Sequence, residues 1–300
     1  MKPDFEIHGN DAIRIGAVSY LNTKPLIATL GRQLDPVSEL KLDLPSRLAI
    51  QLASGELDLG LIPAIEFFRG PENLLGQDCP SDSYRIVSNA CIACRGIVRS
   101  VRLFFRVPPN RVQTIAIDEG SRTSVALALI LLHQRFGIRP TLVPLPIEAD
   151  PNSATSDAVL VIGDRAMHPE RYDSFTENWD LGLEWYRETG LPFVFAMWVG
   201  RQSKSSPALA EQLELARDEG LQQIENLSQQ YASTYALSIA ECMEYLSVNL
   251  RFTMHADEIQ GLRTFYRMAA ELNLIHQSVQ PIWPIISALP AEQLFANAPK

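Results

Sequence analysis

The chain has 300 residues, 46% of them hydrophobic, which suffices for one large or two modest domains with a sizeable core. The formal net charge is −9 and the pI is near 5.1, with no basic stripe, so nucleic acid is excluded as a partner. A small anionic ligand would need a locally positive site inside this acidic protein.

No apolar run reaches the roughly 18 residues of a membrane span. The N-terminal "MKPDFEIHGNDAIRIGAV" lacks the apolar stretch of a signal peptide, and its residues before Asp11-Ala12 read as an unstructured extension. The expectation is a soluble cytoplasmic protein without membrane association; the sequence leaves its oligomeric state open. Cys79, Cys91, Cys94 and Cys242 are the cysteines. Cys91 and Cys94 form a lone CxxC with neither a second pair nor neighbouring histidines, so buried strand residues are expected there rather than zinc or redox chemistry. No metal and no cofactor is expected.

In chain order, "AIRIGAV" (12–18) reads as a buried strand. Asn22 or Thr23 is placed to cap the helix "KPLIATLGRQL", with Pro25 in its first turn. "PSRLAIQLASGEL" is a second helix, opened by Pro45 and ended by Gly55, with Leu48, Leu52 and Leu57 on its apolar side. "LDLGLIP" is a strand leading into the short helix "AIEFFRG". "YRIVSNACIACRGIVRSVRLFFRV" (84–107) is strand-rich with a turn at Arg95-Gly96, and "TIAIDEG" is another strand. "SRTSVALALILLHQRFG" is a helix stopping at Gly137. "TLVPLP", "AVLVIGD" and "GLPFVFAMWVGR" are strand-like. After residue 205 the period is helical throughout, and no strand is expected.

Strands alternating with helices imply an α/β fold with mostly parallel sheets. In such sheets ligands bind at strand-to-helix turns. "SYLNTK" (19–24) and "DEGSRTS" (118–124) are two such turns.

"PSRLAIQLASGELDLGLIP" resembles a segment of type II periplasmic-binding-protein folds. "RIGAVSYLNTKPL", "GSRTSVAL", "IGDRAM" and "DLGLEWYRETGLPFVFAMW" together resemble the chorismate dehydratase family of the futalosine route to menaquinone. The resemblance spans residues 14 to 198. It implies two lobes, residues 1–103 with a returning helical tail 197–300, and residues 104–196, with a cleft between them. It also implies conversion of chorismate, a small dianion, to 3-[(1-carboxyvinyl)oxy]benzoate and water, without a cofactor.

Loss of water makes the ring aromatic, so the enzyme has mainly to hold one conformer while hydroxide departs and a proton is removed. The helix opened by "SRTS" offers backbone N–H groups and hydroxyls, so Ser121, Thr123 and Ser124 are expected to grip one carboxylate. Arg122 would add a cation. Ser19 and Asn22 would face the ring or the other carboxylate from the opposite lobe, Asn22 bonding the leaving hydroxyl or orienting the substrate. Ser100 is a further binding candidate. For the base, two options stand: Asp164, or the substrate's own side-chain carboxylate, which would make the enzyme a conformational clamp.

Two other functions fit the fold. The related 1,4-dihydroxy-6-naphthoate synthase uses a histidine where this chain reads Gly163-Asp164, with His168 four residues on. A non-catalytic cytoplasmic protein binding a small anion is the other, since fold does not fix function.

Overall fold

The computed structural model describes residues 13–34, 39–71, 84–118, 120, 122–146 and 148–275. The expected N-terminal extension and Cys79 lie outside the described residues.

The first strand is β1 (Arg14–Val18), buried after its first residue. The helix expected over 24–34 breaks into two single turns, α1 (Lys24–Ile27) and α2 (Leu30–Gln33), with Thr29 between them bonded to the Ala216 carbonyl at 3.2 Å. Strand β2 (Glu39–Asp43) follows, and α3 (Pro45–Ser54) then turns back with Leu48 and Leu52 fully buried. It ends at Gly55, whose φ of +80° is a left-handed cap that glycine adopts without strain. Arg201 donates to the last carbonyls of this helix, Leu52 at 3.1 Å and Ala53 at 2.8 Å. The wholly buried β3 (Leu59–Pro63) leads directly into α4 (Ala64–Arg69).

The long β4 (Tyr84–Cys94) then passes through a turn into β5 (Val101–Phe105). Next come β6 (Thr114–Asp118), α5 (Arg122–Phe136), β7 (Thr141–Leu145), β8 (Ala158–Ile162) and β9 (Glu177–Asp180). Helix α6 (Leu181–Thr189) leads to β10 (Phe193–Arg201). The remainder is α7 (Pro207–Leu221), α8 (Ile224–Tyr231), α9 (Ile239–Glu244), a short β11 (Arg251–Thr253) and α10 (Ala256–Glu271).

Among the described residues, one sheet has the order β11-β4-β10-β3-β1-β2 and the other β7-β6-β8-β5-β9. Both are mixed. β1 runs parallel to β2 and β3, and β6 parallel to β7 and β8, whereas β10, β4, β11, β5 and β9 pair antiparallel. The expectation of mostly parallel sheets is thereby corrected to partly parallel. Each sheet receives strands that arrive from the other sheet rather than through a βαβ crossover, and those lie antiparallel.

The tail is not purely helical either, because β11 adds three residues to the edge of β4. Three residues are too few to show a period. β2 and β9 escaped the sequence reading for a related reason: they are short edge strands, "ELKLD" and "ENWD", whose charged residues, Asp43 and Asp180 apart, are exposed. By contrast "AVLVI" of β8 is buried on both faces and reads as a continuous apolar run. One of those faces joins the main core; the other packs on a smaller cluster built around Phe104, Val159 and Tyr172.

The chain passes between the sheets twice in this architecture, at residues 95–100 and through α6. One buried carboxylate ties both passages. Asp180 accepts from the backbone N–H of Val98 at 3.0 Å and of Arg99 at 2.7 Å, and its first-turn bond from Leu183 at 3.1 Å caps α6. Arg99 has φ +64°, a left-handed conformation that costs a non-glycine residue energy and that the Asp180 bonds hold in place.

The tail docks through close backbone approach. A methyl group at Gly220 in α7 would run into the Pro25 carbonyl of α1. Gly220→Ala is expected to lower stability by about 2–3 kcal/mol, since a backbone atom has nowhere to retreat; urea unfolding with an unchanged midpoint would refute the contact. Asp180→Ala strands two buried N–H donors and a helix end, and is expected to cost about 3 kcal/mol or more by the same measurement.

Candidate active site

A cleft enclosing about 580 Å³, part of it continuous with solvent, opens where elements of both sheets meet. From the first sheet come Val18, Tyr20 and Asn22 after β1, Pro63 at the end of β3, Ile92 of β4, and Phe195 and Ala196 of β10. The second sheet contributes Ser100 and Val101, Ile162 and Gly163 at the end of β8, and Gly120, Thr123 and Ser124 at the start of α5. None of the described lining residues is charged. Apolar walls with a few convergent hydroxyl and amide groups are what a small organic ring requires.

Asn22 sits in a 3₁₀ turn, Leu21–Thr23, that joins β1 to α1. Neither Asn22 nor Thr23 makes a side-chain cap on α1. The Thr23 hydroxyl instead donates to Asn22 Oδ1 at 3.3 Å, and this holds the amide toward the cleft. The capping role expected of these residues is therefore replaced by one at the cleft. Gly163 lets the Tyr20 ring lie against its backbone: a Cβ there would sit 3.4 Å from the ring, and its φ is +66°.

Ser100 is buried at the end of the passage that Asp180 holds. Its N–H donates to the Val98 carbonyl at 2.8 Å and its carbonyl accepts from Gly163 N–H at 2.8 Å, so the ends of two cleft-lining segments are fixed to each other. Thr123 and Ser124 are both buried and line the cleft, as expected. The Thr123 hydroxyl also accepts from Ile65 N–H at 3.3 Å and thereby joins α5 to α4.

Other expected site residues are elsewhere. Ser121 lies outside the described residues. Ser19 is exposed and absent from the cleft wall; its carbonyl accepts from the Tyr235 hydroxyl at 3.4 Å. Arg122 also stays out of the wall. Its guanidinium pairs with the fully buried Glu66 at 3.1 Å, while Arg69 takes the other carboxylate oxygen at 2.8 Å. A charge buried that deeply claims its partners, and Arg122 faces it rather than the cleft.

Asp164 is half-buried behind the wall, not in it. Burial pushes its carboxyl up to about 6, against the bond it accepts from Leu21 N–H and the attraction of Lys24 and His168. Burial likewise lowers the Lys24 ammonium, with Asp164 pulling the other way, and that ammonium stands 4.9 Å from the Tyr231 ring centre. His168 places Nε2 3.1 Å from the Tyr235 carbonyl and Nδ1 3.3 Å from Glu170, and does not line the cleft. Cys91 and Cys94 are free thiols, fully buried, and burial pushes both up. Among the described residues no group of three His, Cys, Asp or Glu side chains could hold a metal ion, and no helix is long and apolar enough to cross a membrane.

One neighbour of the site gave no signal in the sequence. Tyr245, in "MEYLSVNL", reads as one more apolar helix position. Burial holds its hydroxyl well above the ordinary tyrosine value, with the Ser100 and Asn22 side chains pulling the other way.

The fold has counterparts among known proteins. The backbone superposes on a protein of Archaeoglobus fulgidus with a TM-score of 0.68 at 18% identity, covering 89% of this chain and 100% of that one. The alkanesulfonate-binding protein SsuA from Xanthomonas axonopodis pv. citri, bound to MOPS, matches with a TM-score of 0.64 at 15% identity, over 90% of this chain and 96% of that one. A Candida albicans protein described as having the generic periplasmic binding protein fold matches at 0.59 and 9% identity, over 90% and 92%. These share a fold, the periplasmic-binding-protein fold. In sequence, the chain is 29% identical over 238 residues to a chorismate dehydratase of Thermus thermophilus, covering 74% of this chain and 83% of that one. It is 32% identical over 135 residues to a chorismate dehydratase of Campylobacter jejuni, covering 42% and 59%. The pattern of the menaquinone biosynthesis family matches residues 13–271, which take in every element from β1 to the end of α10 and every described residue of the cleft wall, and the chain belongs to that family.

Proposed function

We propose that this protein is a chorismate dehydratase, a cytoplasmic hydro-lyase that forms 3-[(1-carboxyvinyl)oxy]benzoate for menaquinone biosynthesis. The observation that carries the reading is the pairing of Asn22 and Ser100 across an uncharged, apolar-walled cleft, in a chain whose family and curated relatives point to this reaction. The two-lobed division, 1–103 with 197–300 against 104–196, belongs to the same reading. Its support is that the two sheets exchange the chain at only two passages among the described residues.

The ring of chorismate lies against Ile92, Val98, Ile162 and Phe195. One carboxylate takes Thr123 and Ser124 at the positive end of α5. Asn22 donates to the ring hydroxyl and stabilises it as it leaves. The proton on the ether-bearing carbon passes to the substrate's own enolpyruvyl carboxylate, the C–O bond to the hydroxyl breaks, and that proton and the hydroxide depart as water. The electrons of the broken C–H bond complete the aromatic ring. The enzyme acts chiefly by holding the conformer in which carboxylate and hydrogen meet. Ser19 and Arg122 serve the site indirectly, through Tyr235 and Glu66. Asp164 stands outside the wall beside the "SYLNTK" turn, which favours the substrate's own carboxylate as the base.

Naphthoate synthase fits less well, because His168 is engaged with the Tyr235 carbonyl behind the wall. A non-catalytic binding protein is the remaining rival, and turnover separates it.

The direct test is to incubate purified protein with chorismate alone and follow the product by mass and ultraviolet absorbance. An aromatic enolpyruvyl ether one water lighter than chorismate supports the reading; binding without conversion overturns it. Asn22→Ala is expected to lower kcat by about 100-fold, the loss typical of one transition-state donor. Asp164→Asn is expected to keep turnover close to wild type, whereas a loss of about 100-fold or more would assign the base to Asp164. Because the folded carboxyl titrates near 6 and an unfolded one near 4, the folded state holds its proton more tightly. Asp164 thus subtracts stability as pH rises from about 4 to about 6, and Asp164→Asn should remove that part of the slope in a series of thermal melts.

A further inference from the structure

Two helices start at the cleft. α4 follows β3 of the first sheet, and its N-cap, Pro63, is part of the wall. α5 follows β6 of the second sheet, and Thr123 and Ser124 of its first turn line the wall as well. Two bonds join these starts, and they involve consecutive residues on both sides. The Ile65 N–H donates to the Thr123 hydroxyl oxygen at 3.3 Å, and Arg122 Nη1 donates to Glu66 Oε2 at 3.1 Å. One bond fixes a distance; two at adjacent residues fix the distance and the relative orientation of the two segments.

Each bond has a physical cause. The first N–H groups of a helix have no partner within it. The N-cap of α4 is Pro63, whose side chain supplies no cap, and Thr123 serves Ile65 from the other sheet. That bond uses a lone pair of the hydroxyl and leaves its proton to donate to a ligand. Glu66, one residue on, is fully buried and stands outside the cleft wall. Its Oε1 accepts from Arg69 Nη1 at 2.8 Å, and Arg69 Nε in turn donates to the Leu274 carbonyl at 3.2 Å, beyond the end of α10. The carboxylate is thus anchored from behind, through its own helix and the tail, and offers its second oxygen to Arg122. A buried carboxylate holds such partners firmly, because their loss leaves charge uncompensated.

We infer that Glu66 is a positioning residue: through Arg122, and beside the Ile65–Thr123 bond, it fixes the start of α5 against the first-sheet wall so that the Thr123 and Ser124 hydroxyls meet one carboxylate of the substrate. Glu66 itself touches no substrate. In the proposed reaction the enolpyruvyl carboxylate is engaged as the base, so the hydroxyls take the ring carboxylate, which does not react. A grip of that kind binds substrate and transition state alike, and its loss appears in KM rather than in kcat.

This inference rests on the proposed dehydratase reading. The test is Glu66→Gln, which keeps the shape and removes the charge, in the wild-type and in the Thr123→Val background, with chorismate as substrate at a temperature where thermal melts show each protein folded. KM is expected to rise about tenfold while kcat moves less than about threefold. In the Thr123→Val background the same change should raise KM about threefold or less, because a hydroxyl that Glu66 positions is gone. A merely structural role lowers Tm and the active fraction, hence the apparent kcat, and leaves KM where it was. A wild-type KM in Glu66→Gln therefore overturns the inference, as does an equal rise in both backgrounds. If Glu66→Gln does not fold, Arg122→Met takes its place, since it leaves Glu66 paired with Arg69; the same rise in KM and the same dependence on Thr123 support the inference, and a wild-type KM overturns it. Wild-type protein that does not convert chorismate overturns the functional reading, and the inference with it; wild-type turnover with an unaffected variant overturns the inference alone.

Discussion

The Asp180 carboxylate is the interaction on which the arrangement of the two sheets rests. Its oxygens take the N–H groups of Val98, Arg99 and Leu183, so one side chain fixes both places where the chain passes from one sheet to the other. Without it Arg99 has no reason to remain left-handed, and the segment that carries Ser100 to the cleft loses its anchor. The carboxylate is buried, so these bonds compete with little water, and each unsatisfied donor would cost heavily. The site is thus built from the passages outward rather than from the sheets inward.

The tail completes what Asp180 begins. Tyr235 reaches the Ser19 carbonyl and takes His168 on its own carbonyl, so one residue of the tail touches the turn after β1 and the loop after β8. At Gly220 the backbone of α7 seats directly on Pro25. On the far side, Glu66 draws in Arg69 and Arg122 and joins α4 to the start of α5. The cleft is held on one flank by neutral hydrogen bonds and on the other by a buried ion triad, and the charges of the triad are kept out of its wall.

Much of this was legible in the sequence. Gly55 as a helix stop, Pro63 as the join between β3 and α4, and the buried runs of β1, β3 and β8 follow from local rules, because in each case the residue's own conformational preference agrees with its tertiary place. Asn22, Thr123 and Ser124 stand at strand-to-helix turns, where this fold class places ligands, and with Ser100 they line the cleft. Edge strands β2, β9 and β11 were not legible, because three to five residues are too few to show a period, and β2 is exposed along nearly its whole length. Arg122 misled for a different reason: a cation beside an expected anion site looks available until its buried partner, 56 residues earlier, is placed against it.

That the described residues of the wall carry no charge has a consequence for the end of the reaction cycle. In the proposed reaction substrate and product carry the same two carboxylates, so a site that gripped by cations would hold both with equal strength, and uniform binding of that kind does nothing for the chemical step. Hydroxyl and amide groups fixed at a set spacing read direction and distance instead. A puckered ring with a hydroxyl standing off it satisfies them; a flat ring that has lost that hydroxyl does not. Product leaves because its shape has changed, while its charge has not.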